Sequence, residues 1–404
     1  MLSIPSGFQF STVTSGVKKS LQDDLVVVLC PTGATAAGVY TQNQIVAAPV
    51  VWSQERTPLE PCYAVVVNSG NANACTGKQG EHDTHEIATL VAKECQTYSA
   101  ESLSQASCDE ILVMSTGVIG QFLPMEKIRE GIRNAFQKFG HDEEATLRAA
   151  RGIMTTDQGE KTGSRTVEVS GKSCSILGLA KGAGMIGPNM ATMLGLLLTD
   201  APLTKEQAQQ SLTVATSKSF NAISVEGHTS TNDTVLLLAS GTNRTEGLTA
   251  EEFTNFTEEL TLLCIDLAKK IPSDGEGAKH LIEIQVQGAK TAQQADIIAR
   301  TVASSALVKT AIAGGDPNWG RIVSAAGYAG VDFDPDKITL WLNDHLLYQN
   351  GRPADFSEKE VSDDLNKHFE TKIRLVLEMG QNCATHWTSD LTTEYVHFNS
   401  AYRT

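Results

Sequence analysis

Positive charge is in short supply in this 404-residue chain: 32 lysines and arginines face 47 aspartates and glutamates, a net charge of −15. That balance argues against nucleic acid or an anionic membrane as a partner, since both select basic surfaces. Long apolar runs are also missing, and none approaches the roughly 20 residues that cross a bilayer. Residues 1–8 lack the charged-then-apolar layout of a secretory signal. The eight cysteines are scattered from Cys30 to Cys383, with no CxxC and no Cys/His zinc spacing. They read as reduced thiols, which implies a cytoplasmic protein with no metal centre. His82 and His85 are too few to hold a metal. Nor is there a G-x-x-x-x-G-K-[ST] phosphate loop.

What the chain does have is core: 41% of its residues are hydrophobic and 20% charged, enough for one large domain and a smaller one. Its organising stretch is 181–200, KGAGMIGPNMATMLGLLLTD. The first part carries three glycines and a proline and cannot be a regular helix or a central strand. Residues 193–198 are an apolar run that reads as a buried strand. Thr192 stands where the open loop meets that strand, an anchored hydroxyl with accessible backbone around it. By local spacing alone, the stretch fits either a nucleophile's seat or a plain glycine-rich connection.

Elsewhere the patterning alternates strands and helices. Residues 24–52 read as two adjacent strands joined by a Pro-Thr-Gly turn, and 63–67 as another strand running into the Asn/Gly-rich loop NSGNANACTG at 68–77. A helix is expected over 81–98. A strand over 111–114 leads into Ser115-Thr116-Gly117, where a hydroxyl and a backbone N–H can be aimed at one point, as in an oxyanion hole. Helices over 125–139 and 143–154 precede Met154-Thr155-Thr156-Asp157, and a hairpin over 158–180 turns at Ser170-Gly171. Thr204 is a helix N-cap with Glu206 and Gln207 in the first turn. Further helices are expected over 250–270 and 291–309, with strands at 280–287, 338–343 and 373–378.

Taken together, KGAGM at 181–185 with Pro188 and Ala191-Thr192, NSGNANACTG, Met154-Thr155-Thr156-Asp157, 220–234, Asp274-Gly275-Glu276-Gly277-Ala278 and 309–322 resemble the ornithine acetyltransferase family, the bifunctional glutamate N-acetyltransferases. The resemblance spans nearly the whole chain. It departs at Glu226 and His228, where the family pattern has Asp.

The resemblance implies self-cleavage between Ala191 and Thr192, giving an alpha chain of 1–191 and a beta chain of 192–404. It implies an α/β (α+β) fold, an αββα sandwich of the self-cleaving N-terminal-nucleophile type over 1–284, and a smaller C-terminal α/β domain over 285–404 whose tail returns to the active site. Thr192 becomes nucleophile and, through its freed amine, base. That amine has an ordinary pKa of about 7.7–8.0, close to where a general base works best. Thr116 and Gly117 take the oxyanion. Thr155 or Thr156, Lys181, Thr192, Glu276, Asn399 and Thr404 contact substrate.

The implied reaction moves acetyl from N2-acetyl-L-ornithine to L-glutamate in the cyclic arginine pathway, with no bound cofactor or metal. Acetyl-CoA is left open as a co-substrate. The implied assembly is a heterotetramer of two alpha and two beta chains. Two other functions fit part of the pattern: an aminopeptidase or amidase using Thr192, and a non-catalytic metabolite-binding protein.

Overall fold

The computed structural model describes residues 1–98, 100–187, 193–241 and 246–401. Its strands up to residue 239 are β1 (Gln9–Val13), β2 (Leu25–Tyr40), β3 (Leu59–Asn71), β4 (Ile111–Val118), β5 (Lys161–Val169), β6 (Lys172–Lys181), β7 (Leu194–Thr199), β8 (Ile223–Ser224) and β9 (Thr234–Ala239). The helices between and just after them are α1 (Ala48–Arg56), α2 (Gly77–Thr97), α3 (Met125–Ala135), α4 (Glu143–Gly152), α5 (Lys205–Ser217) and α6 (Ala250–Ser273).

Strand β2 shapes the first sheet. Its residues 25–29 pair with β1 and β3, and its residues 35–40 pair with β9. Between them the register slips, at Pro31 and at Gly33, which sits at φ +74°. Proline cannot donate to a ladder, and glycine alone takes that backbone conformation without strain. The Pro-Thr-Gly element is therefore a bend inside one 16-residue strand, where sequence patterning places a turn between two. The sheet, ordered β4-β3-β2-β9-β7-β6-β5 with β1 on β2, doubles back through this bend.

Side-chain alternation shows the result. Val26, Val28 and Cys30 pack against Leu177, Leu179, Leu196 and Leu236 from the other half of the sheet. The opposite face of β2, Leu25, Val27 and Leu29, meets Ile87 and Val91 of α2 and Ile128 of α3. On the far side Ile176, Leu197 and Leu237 meet Leu212 of α5 and Leu260 and Leu267 of α6. With both faces of each half covered, the strands read as unbroken apolar runs. The layers are α2/α3, half-sheet, half-sheet, α5/α6: the expected αββα sandwich, made from one continuous sheet folded on itself.

Two local signals hold as read. Ser170 and Gly171, at φ +50° and +71°, close the β5–β6 hairpin. Thr204 caps α5 in a reciprocal box with Gln207, a device whose loss to alanine costs about 0.5–2 kcal/mol.

The second sheet adds β10 (Leu281–Ala289), β11 (Thr339–Leu342), β12 (His345–Gln349), β13 (Arg352–Pro353), β14 (Glu370–Val376) and β15 (Asn382–Ser389), in the order β13-β12-β11-β14-β10-β15-β8. Its helices are α7 (Ala292–Ser304), α8 (Ala306–Ala313), α9 (Trp319–Gly327) and α10 (Glu358–Lys367), and α11 (Thr393–Ala401) ends the described chain. The helix expected over 291–309 is two, broken at Ser305, whose hydroxyl caps α8. The 284/285 boundary falls inside β10. Strand β8 joins this sheet from the first part of the chain, and α6 touches strands of both sheets. Among the described residues no helix is long and apolar enough to cross a membrane.

Candidate active site

The C-terminal ends of β4 and β6 open onto a cleft of about 260 Å³. Thr116 and Gly117 line it from β4 and Lys181 from the end of β6, with Thr155 and Thr156 beside them. Glu276 and Asn399 close it from the C-terminal part of the chain. Seven candidate residues spread over nearly 300 positions thus meet in one place. Ala191, Thr192 and Thr404 lie outside the described residues, as does Pro188.

The Asn/Gly-rich loop supports the Thr-Gly pair. Asn68 receives the Ser115 hydroxyl at 2.6 Å and donates to the Asn71 carbonyl at 2.8 Å. Asn73 ties the segment to α2 through Gly80 O and Thr84 Oγ1, both at 2.9 Å. Gly117 has φ +134°, and a Cβ there would lie 2.3 Å from the Gly70 carbonyl carbon and 2.5 Å from the Asn71 nitrogen. Only glycine fits, because the two backbones meet with no room for a side chain.

Lys181 is one of the largest fully buried side chains. Its Nζ donates to Thr155 Oγ1 at 3.2 Å. Burial pushes its pKa down, and the nearby Asp157 carboxylate opposes this. Asp157 is itself enclosed. It accepts from Lys161 Nζ at 2.8 Å, Gly182 N at 2.6 Å and Thr155 N at 3.1 Å. Burial works against its ionisation, but Lys181 and Lys161 outweigh it and hold the carboxyl down at about 2.

A depressed carboxyl adds stability that is full above the ordinary aspartate value of about 4 and is lost as the pH falls toward about 2. Asp157→Asn takes the nearest carboxylate from buried Lys181, while Lys161 keeps Asp274 at 2.5 Å, and is expected to cost about 3 kcal/mol at pH 7. Urea midpoints read this. The gap to wild type should narrow as the pH drops through that window, and a gap constant with pH would remove the ionic explanation.

Several functional neighbours escape sequence reasoning. Asn232 donates to Ala72 O at 2.6 Å and Ser115 O at 2.9 Å, pinning the end of β4. Asp233, fully buried, accepts from the Met193 amide at 2.9 Å, and burial pushes its carboxyl up to about 8. Glu226, His228, Tyr395 and Met185 line the cleft. Ile186 O accepts from both Val225 N (2.8 Å) and Gly227 N (2.9 Å), fastening the glycine-rich stretch to the Glu226–His228 loop. Met185, Asn232 and Asp233 stand in the blocks 181–185 and 220–234 that match the family pattern, and Glu226 and His228 are its departures, but no role was read onto any of them.

The DGEGA loop is fixed by α11. Asn399 Nδ2 donates to Glu276 Oε2 at 2.9 Å, and Thr392 Oγ1 donates to Gly277 O at 2.7 Å. Gly184 leaves room for the Glu276 carboxyl, which a Cβ there would meet at 2.5 Å. The cleft therefore has a cation and hydroxyls at one part and carboxylates at another, suited to an amino acid.

A polar cleft with a strand-end Thr-Gly pair, a buried lysine and facing carboxylates, set in an αββα sandwich, has the make-up of an acyl-transfer enzyme acting on charged small molecules. The chain belongs to the ArgJ family, whose description matches residues 9–404. It is 44% identical to the arginine biosynthesis bifunctional protein ArgJ of Rhodopirellula baltica, over 99% of this chain and 96% of that one. It is also 44% identical to the protein of that name from Dehalococcoides mccartyi, over 100% of this chain and 97% of that one. The crystal structure of the ArgJ protein from Bacillus halodurans resembles it with a TM-score of 0.50 at 41% identity, covering 51% of this chain and 98% of that chain.

Proposed function

We infer that this enzyme is an acetyltransferase of arginine biosynthesis that moves acetyl from N2-acetyl-L-ornithine to L-glutamate, releasing L-ornithine and N-acetyl-L-glutamate. The observation that carries the reading is the meeting in one cleft of Thr116, Gly117, Thr155, Thr156, Lys181, Glu276 and Asn399, in a chain that belongs to the ArgJ family over residues 9–404.

Thr192 is the nucleophile, exposed as a new N-terminus when the Ala191–Thr192 bond is cut. Its Oγ attacks the acetyl carbonyl while its own α-amine takes the hydroxyl proton. The Thr116 hydroxyl and the Gly117 N–H hold the oxyanion. Collapse breaks the C–N bond, and the departing ornithine amine takes the proton. The acetyl group is then an ester on Thr192. The glutamate α-amine attacks that ester through a second oxyanion, and the C–O bond breaks with return of a proton to Thr192 Oγ. Lys181, with Thr155 or Thr156, orients the substrate carboxylate, while Glu276 and Asn399 receive its amino group. Thr404 completes this set. No bound cofactor or metal is assigned a step, and acetyl-CoA is a second donor to the same Thr192.

Cleavage of each chain and pairing of two cleaved chains gives the assembly, two alpha and two beta. The Bacillus halodurans relative supports the division, since nearly all of that chain matches about half of this one. The eight free cysteines support a cytoplasmic setting.

The test is ornithine release from N2-acetyl-L-ornithine with and without L-glutamate. Release that requires glutamate, with equimolar N-acetylglutamate, is expected. Glutamate-independent release with free acetate would instead establish a hydrolase and withdraw the acceptor roles.

A further inference from the structure

The two half-reactions set a recognition problem for one cleft. If a single Thr192 carries the acetyl group, the ornithine moiety and glutamate occupy the same place in turn. Their α-ends are alike; their side chains end in an ammonium and a carboxylate. A residue of fixed charge that draws one of these in repels the other.

Among the described residues, Lys181 and Glu276 of the cleft are already committed, and Glu226 is not. Lys181 donates to Thr155 and is balanced by Asp157. Glu276 accepts from Asn399. Glu226 lines the cleft with much less support. Its Oε1 is 3.4 Å from the His228 amide, a long contact, and its Oε2 is buried with no hydrogen-bond partner among the described residues. A buried carboxylate oxygen without a donor is costly as an anion. Two things relieve it: a donor brought by a ligand, or a proton of its own.

We propose that Glu226 is the group that lets one pocket take both substrates, accepting from the ornithine ammonium as a carboxylate and donating to the glutamate γ-carboxylate as a carboxylic acid. This rests on the acetyl-transfer reading above.

The surroundings hold Glu226 near the balance point. Burial pushes its carboxyl up to about 7 against the Glu226 and His228 backbone amides; the facing Glu276 pushes the same way as burial, and Lys309 opposes it. Lys309 stands behind it, buried, bonded to the Val225 carbonyl and to Thr388 Oγ1. Burial, with the same two carboxylates, raises the Tyr395 hydroxyl to about 12, so it stays neutral. The His228 imidazole lines the cleft beside Glu226. Near neutral pH either form of Glu226 then costs little to reach, and the incoming side chain selects it. Solvent supplies or takes the proton. Glu276, with the Asn399 amide already on its Oε2, is left to receive the amino group.

Calorimetry tests this without turnover, since free L-ornithine and L-glutamate carry no acetyl group. Each is titrated into the self-cleaved enzyme at pH 7 in two buffers of different ionisation heat, which counts protons. Ornithine is expected to release a fraction of a proton and glutamate to take one up. In Glu226→Gln, which imitates the protonated form, these exchanges shrink, ornithine binds about 10- to 100-fold more weakly, and glutamate changes by no more than about 3-fold. Differencing against wild type removes any contribution from the Thr192 amine. Glu226→Asp should keep both exchanges, which guards against a glutamine variant that folds poorly. His228→Gln should keep them too.

Opposite proton exchange that vanishes in Glu226→Gln supports the proposal. A glutamine variant that weakens both ligands alike, or an exchange lost only in His228→Gln, overturns it. Wild type that transfers acetyl without linked protons overturns this proposal alone, whereas wild type without transfer removes the reading beneath it.

Discussion

Thr192→Ala is expected to leave the chain whole at 43.2 kDa and to lower acetyl transfer by at least about 10⁴-fold, the scale on which removing a catalytic nucleophile acts. On the proposed reading both effects come from one atom. The hydroxyl that would attack the Ala191 carbonyl to open the chain would later attack the acetyl carbonyl, and alanine removes it for both. Intact mass should show two fragments of roughly half size for wild type, the second beginning at Thr192, and one species for the variant. Thr192→Ser keeps an Oγ and should be both cut and active. Losing the methyl frees the serine rotamer, so its rate should fall well short of the alanine loss. An alanine variant that still divides would place the cut or its nucleophile elsewhere. An active wild type that stays whole would remove the N-terminal amine as base.

The residues that gather in the cleft were legible in the sequence because their types repeat a family pattern in order. Thr116-Gly117, Thr155-Thr156, Lys181, Glu276 and Asn399 all reach the cleft. Backbone course was legible where a local device sets it, as at the Ser170-Gly171 turn or the Thr204 cap. It failed where tertiary context wins. Residues 48–56 carry Val50, Val51 and Trp52, all good strand formers, yet they form α1, with Pro49 in its first turn and Val50 and Ser53 facing inward.

The supporting residues were illegible for a different reason. Asn232 bonds to Ala72 and Ser115, which lie 160 and 117 positions away, and Lys309 reaches Val225 across 84. No spacing rule sees such pairs, since they exist only once distant strands and helices are assembled. The Asn-rich loop is an intermediate case. Its composition marks a structured loop, but the support its amides give depends on β3 running parallel to β4 and bracing Gly117.

That brace sets up the second large effect. Gly117→Ala puts a Cβ into backbone, 2.3 Å from the Gly70 carbonyl carbon, at a φ of +134° that L-residues rarely adopt. A flexible side chain could swing away, but a strand cannot. The β3–β4 edge has to part, and the Gly117 N–H turns from its aim. Transition-state stabilisation should drop by about 100- to 1000-fold, the loss seen when one oxyanion donor goes, and overpacking should cost about 1–3 kcal/mol of stability. Single-turnover acetylation of Thr192 separates the two: at a temperature where the variant is folded, the acetylation rate should fall with little change in substrate affinity. Self-cleavage should slow as well, because its tetrahedral intermediate also bears an oxyanion. Thr116→Ala gives the companion result, a similar rate loss without the strain, and Thr116→Ser should restore most of it by returning the hydroxyl. If Gly117→Ala lost stability but kept its rate to within about 3-fold, the glycine would be there for packing alone, and the second oxyanion donor would have to be sought elsewhere in the cleft.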